Sequence, residues 1–289
     1  MRISDRLFGM FVYTVLAVVV IFTLYPMLYV AFASVSDGDK LLSFRGLLWR
    51  PLGFTVEAYK RAAANPSIWL GYANTLKLVA GGVALNLSMT ILGAYILSRR
   101  NVLWSSPLMF AVVFTMFFQS GLIPFYLVVK DTGMMNTLGS LLLPFSIKTF
   151  HLIIMRTAFL SLPRSIEESA QIDGAGHWTM MVKIVVPLSM PVIAVMILYT
   201  AVDKWNMWFY ASIFIQDRSL YPLQLVLREI LIQNLTDNLS SGAGVGEARK
   251  LGETIKYATI MIATVPVLLG YPFLQKYFVK GVMVGAIKG

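Results

Sequence analysis

Cysteine is absent from this chain, which removes disulfides, thiol nucleophiles and cysteine metal sites together. Histidine is nearly absent: His151 and His177 are the two present, on different segments and without metal-ligand spacing. No G-x-x-x-x-G-K-[ST] run occurs, so the chain has no phosphate-cradling loop of its own. The glycines of 242–246 lie in a polar loop, follow no evident strand and lack dinucleotide-loop spacing, so they read as a turn. Asn86, Asn234 and Asn238 head N-x-S/T triplets that carry no meaning in a span or an envelope loop. Charge is scarce as well, at 13% of residues, where a soluble domain carries about 25%.

What remains is apolar. Of 289 residues, 57% are hydrophobic and the mean hydropathy is +0.72, which describes an integral membrane protein. A bilayer core needs about 20 apolar residues of helix, and six stretches qualify: 7–33, 72–97, 103–127, 138–160, 184–202 and 257–277. The expected fold is all-α, a polytopic membrane protein with six transmembrane helices in a single domain over 1–289. The N-terminus has the basic flank of a signal peptide, but its uncharged run is too long for a cleaved one and reads as a retained first span. The net charge of +10 is scattered between spans without clustered stacking aromatics, so anionic lipid headgroups are the expected partner and nucleic acid is not.

One segment between spans stands out. Residues 163–183 are polar to amphipathic. Pro163 suits the first turn of a short helix, because its missing N–H has no partner there. Ile166 and Ala170 share a face. Asp173-Gly174 ends that helix in a turn, and a second amphipathic run begins at His177 and enters the fifth span past Pro187 and Pro191. On these features alone the segment is equally an amphipathic connector at the membrane surface.

Glu168-Ser169-Ala170, Gly174, Ile184 and Val186-Pro187, at those spacings, resemble the Glu-Ala-Ala signature of membrane permease subunits of binding-protein-dependent ABC importers. Ser169 replaces the middle Ala and Val186 a Leu, both conservatively. The runs 119–126, Leu143-Pro144, Trp205-Asn206-x-Trp208-Phe209 and 220–224, with the tail 277–289, resemble the carbohydrate-uptake branch of maltose-permease type, in its polysaccharide and aldouronate permease sub-branch. The resemblance implies that 163–183 is a cytoplasmic coupling helix docking on an ATPase. Glu167, Glu168, Ser169, Ala170, Asp173, Gly174 and Ala175 are then the coupling residues. It also implies a second homologous permease subunit, two ATP-binding cassette subunits that hold the ATP and Mg, and an extracytoplasmic sugar-binding protein. This chain would bind no cofactor and perform no catalysis. It would reside, multi-pass, in the bacterial inner membrane with both termini cytoplasmic. The loop 211–256 would reach toward the binding protein, and the tail would insert between the ATPases.

Polar side chains inside spans default to functional candidates. Lys148 and His151 sit three apart on one face of the fourth span, where Lys148 is placed to meet a sugar hydroxyl or carboxylate, or else to pair with a carbonyl; Arg156 is expected to snorkel to the interface. Trp205, Asn206, Trp208 and Tyr210 cluster after the fifth span, as an interfacial belt or a sugar platform. The implied function is ATP-driven import of an oligo- or polysaccharide, acidic of the alginate or aldouronate kind, by alternating access. The alternative is a secondary transporter driven by an ion gradient. That class favours inverted repeats and paired intramembrane carboxylates, whereas every Asp and Glu here lies outside the spans or near their ends. An intramembrane enzyme would need a partner for His151 that the sequence does not supply.

Overall fold

A computed structural model describes residues 3–99, 102–118, 120–240, 254–270 and 272. The described chain is helical, with one isolated bridge between Ser36 and Phe54. Its contacts divide into two compact units, residues 1–69 with 226–266, and 70–225 with 267–289.

The first unit begins with the helix Ile3–Ser34, whose part from Leu7 to Ser34 is long and apolar enough to span a bilayer and buries none of its apolar window inside the chain. Water-free surroundings demand that its polar groups be satisfied internally. Thr14 and Thr23 comply, their hydroxyls donating to the Met10 and Val19 carbonyls at 2.8 and 2.9 Å. The polar stretch that follows is folded. Asp37 caps the helix Gly38–Ser43, its Oδ1 accepting from the Asp39 and Lys40 backbone. Ala33, Leu41 and Leu48 are buried beside Tyr29, Phe32, Leu52 and Tyr257. The helix Thr254–Gly270 starts three residues before the expected sixth span and covers its first part. The remainder of that span, the glycine-rich 242–246 and the tail 277–289 lie outside the described residues.

Among the described residues of the second unit, the helix Pro66–Ser98, most of which belongs to it, is the one unbroken candidate span. Its first residue, Pro66, starts the helix, as a residue with no N–H to leave unpaired can. The expected third, fourth and fifth spans are each a bent pair. Ser105–Phe117 and Leu122–Asp131 meet at 115°, Gly139–Phe145 and Thr149–Leu160 at 47°, and His177–Leu188 and Met190–Trp205 at 81°. Local chemistry accounts for each break. Gly121 has φ +76, open to glycine and costly to other residues. Lys148 is extended (φ −112, ψ 120), so it precedes the helix Thr149–Leu160 and does not lie within a continuous one with His151. Pro191, two residues past Ser189, cannot donate a helical hydrogen bond, and a π-turn over Met181–Val185 precedes that bend. The fifth segment therefore starts at His177, seven residues before the expected boundary.

Arg156 does not snorkel. Its Nε donates to the Leu97 carbonyl at 2.8 Å, serving an orphan acceptor in the last turn of Pro66–Ser98. Asn136, at φ 59, holds the loop after the helix Phe209–Phe214: its Oδ1 accepts from the Gln216 and Asp217 backbone at 3.0 and 2.8 Å, and its own N–H donates to the Phe214 carbonyl. Within that loop the Asp217 carboxylate accepts from the Ser219 backbone, which holds its pKa below the usual carboxylate range. The expected loop 211–256 contains a helix, Leu223–Ser240.

Candidate functional site

The segment 163–183 is a helix–turn–helix. Pro163 is extended and immediately precedes the helix Arg164–Ile172. The turn that ends it is a Schellman motif: Ala175 N–H donates back to the Ala170 carbonyl at 2.9 Å, and Gly174 N–H to the Gln171 carbonyl at 3.0 Å. Its left-handed residue is Gly174, at φ +79. A Cβ built on Gly174 meets nothing within 4 Å, so the outer side of the turn is open. The second helix starts at His177.

One side of this segment is locked to the spans. Ala170, Met180, Met181 and Val185 are buried in a cluster with Ala94, Tyr95, Met155, Phe159, Ile193 and Met196, and Ala175 packs against it. Displacing the helix Arg164–Ile172 must therefore displace the helices that carry those side chains, because packed cores have few intermediate arrangements. The other side is bare: Ile172 is 86% and Trp178 68% exposed, on either side of the turn. Ser169 turns its hydroxyl back to the Ser165 carbonyl at 2.8 Å, and Asp173 closes the helix through its backbone N–H.

The neighbouring glutamates differ. Glu168 is exposed, whereas Glu167 pairs with Arg99, whose guanidinium also lies 4.5 Å over the Tyr95 ring. This pair joins the end of Pro66–Ser98 to the segment 163–183, beside a cavity of about 260 Å³ that Arg164, Glu168, Gln171 and His177 also line. Of the two glutamates in the expected coupling set, Glu167 is the one tied into the chain. Glu167→Ala is expected to cost about 2 kcal/mol, since it strands a mostly buried guanidinium. The check is thermal melting of the purified protein, in which Glu168→Ala should behave as wild type.

The pathway candidates separate into two groups. His151 is buried, its Nδ1 3.1 Å from Asn86 Oδ1, which also accepts from the Thr200 hydroxyl at 3.0 Å. Asn86 Nδ2 donates to the Ser146 carbonyl at 3.0 Å. His151 thus belongs to a cross-link among three spans. Trp205 is also buried, edge-on to Tyr72 at 6.2 Å, where neither a belt nor a sugar platform forms. Lys148 and Asn206, by contrast, line a cavity of about 390 Å³ with Asp203, Tyr210, Phe145 and Phe209. Trp208 is half-buried against the cluster of Phe214, Ala211 and Met207. Asp203 and Asn86 were missed as site residues. Asp203 lies 55 positions from Lys148 in sequence, and its neighbour Lys204 masks it as one of a charged pair at a span end. Among the described residues no cluster of His, Asp and Glu could hold a metal.

Comparison with known proteins agrees with this geometry. The family model described as "binding-protein-dependent transport system inner membrane component" matches residues 78–284. The polygalacturonan/rhamnogalacturonan transport system permease protein YtcP of Bacillus subtilis (strain 168) is 38% identical over 99% of this chain and 100% of its own length. Protein LplC of the same organism is 39% identical over 92% and 90%. Among solved structures, a chain of a bacterial ABC transporter involved in the import of the acidic polysaccharide alginate superposes with a TM-score of 0.87 at 31% identity, over 96% of this chain and 99% of that one.

Proposed function

This chain belongs to the family of binding-protein-dependent transport system inner membrane components, and we propose that it is the permease subunit through which an ATP-driven importer moves an acidic oligo- or polysaccharide. The observation that carries the proposal is the segment 163–183, open on its outer side at Gly174 and locked on its inner side into the spans. A surface of that form suits a lever worked from outside the bilayer. Two ATP-binding cassette subunits, holding ATP and Mg, would supply the force, one of them docking over Ile172, Gly174 and Trp178. A second homologous permease would complete the path, and an extracytoplasmic binding protein would deliver cargo. The relatives named for polygalacturonan and rhamnogalacturonan, and the alginate importer, support an acidic saccharide as that cargo.

Under this reading the chain carries out no bond chemistry. Closure of the ATPase dimer draws the coupling segments together and the bent spans swing between inward- and outward-facing states. ATP achieves this only because it binds one state more tightly than the other. The breaks at Gly121, 146–148 and Ser189 would give those spans hinges. An ion-gradient carrier has no comparable support among the relatives.

The test is uptake by membrane vesicles containing the complete complex and its binding protein, across a panel of neutral and uronate oligosaccharides. ATP-dependent uptake of a saccharide supports the proposal; uptake that needs an ion gradient and no ATP overturns it.

A further inference from the structure

The cavity of about 390 Å³ beside the break at 146–148 holds charge that the coupling machinery does not use. Lys148 Nζ lies 2.7 Å from Asp203 Oδ1, and both side chains are about a third exposed, at 31% and 35%, so whatever enters the cavity can reach the pair. The other carboxylate oxygen, Asp203 Oδ2, is shut off from solvent without a hydrogen-bond partner. One residue on, Lys204 is 1% exposed; its Nζ donates to the Leu141 carbonyl at 2.6 Å and sits 4.9 Å over the Phe145 ring. Lys148 is thus the one lysine paired with the Asp203 carboxylate, while Lys204 brings a second amine close behind the Phe145 wall of the cavity. Depth fits a route through the membrane. The helix Thr149–Leu160 has 12 residues, so Lys148 stands about 18 Å from its far end, more than half the thickness of a hydrocarbon core about 30 Å thick.

On the reading that this is a saccharide permease, we propose that the cavity is a carboxylate-reading subsite on the translocation path, with Asp203 as a placeholder. A uronate carboxylate takes the place of Asp203 on Lys148, while its pyranose ring lies against the Phe145 and Tyr210 faces, whose centroids are 4.7 Å apart. An anion crossing a low-dielectric region must meet a cation there. A lone lysine would hold it too well, and a path has to release what it binds. Exchanging one carboxylate for another keeps the net gain small. A neutral sugar has nothing to exchange, and the pair stays closed to it.

The experiment uses the whole complex with its binding protein in proteoliposomes and two cargoes, an oligogalacturonate and its methyl ester, which keeps the rings and masks the charge. The double variant Lys148→Met/Asp203→Leu removes the pair without stranding either member, and its assembly is checked by size-exclusion chromatography. The ratio of acidic to esterified uptake should fall about tenfold, as loss of a charge-assisted contact implies. Asp203→Asn, which frees the lysine, should lower the KM for the acid about threefold without changing the ester. An unchanged ratio, or an unchanged KM in Asp203→Asn, overturns the subsite while leaving the importer reading intact. A wild-type complex that takes up neither cargo with ATP overturns the importer reading, and the subsite with it.

Discussion

Gly174→Asp should abolish uptake, by about 100-fold, the upper end of coupling free energies, while the protein remains folded and assembled. Two facts separate those effects. Aspartate is among the residues that enter the left-handed region most readily, so the turn at φ +79 should survive at a cost of about 1 kcal/mol. The added side chain also meets no atom of this chain within 4 Å of its Cβ. Under the proposed docking it would meet a partner pressed against the turn between the exposed Ile172 and Trp178, where it would place a charge in an apolar contact. Gly174→Ala should pay the backbone cost alone and keep most of the uptake. Transport rates set beside a melting curve for each variant decide the matter. Equal losses in both variants would mean that the turn's shape, and not its outer contact, is what transport needs.

Asn86→Ala should produce the largest loss of stability, about 3 kcal/mol, since it removes three hydrogen bonds at about 1 kcal/mol each. Interhelical bonds in membrane proteins average about 0.6 kcal/mol, but here the deletion also strands buried His151, Thr200 and the Ser146 carbonyl around one vacated position. Asn86→Asp keeps the acceptor for two of the three and should cost less. Melting of the purified protein in detergent measures both, and an Asn86→Ala midpoint within a degree or so of wild type would remove this residue as the cross-link.

The contrast between these two positions shows what the sequence could reveal. The turn at Gly174 was legible because its signals are local: Pro163 opens the helix, Asp173-Gly174 ends it, and His177 begins the next. Asn86 was read as a meaningless triplet and His151 as a pathway residue. Lipid tails are as apolar as leucine, so a spanning helix has no strong hydrophobic periodicity to say which face meets protein. The contacts of Asn86 lie 60, 65 and 114 residues away in sequence. Apolar runs marked which stretches become long apolar helices, yet they are blind to the breaks at Gly121, Lys148 and Ser189, which depend on single backbone conformations. Trp205 illustrates the same limit, since an indole at a span end serves an interfacial belt or a core equally well until Tyr72 is seen beside it.

The central claim is that 163–183 passes work from an ATPase to the spans. The direct measurement is the ATP hydrolysis rate of the purified complex with empty and with saccharide-loaded binding protein, for wild type and Gly174→Asp. The account predicts stimulation by the loaded form in wild type and none in the variant, whose complex still contains the ATPase. Stimulation that survives in the variant, or a wild-type protein that purifies without any ATPase and transports on an ion gradient, would contradict it.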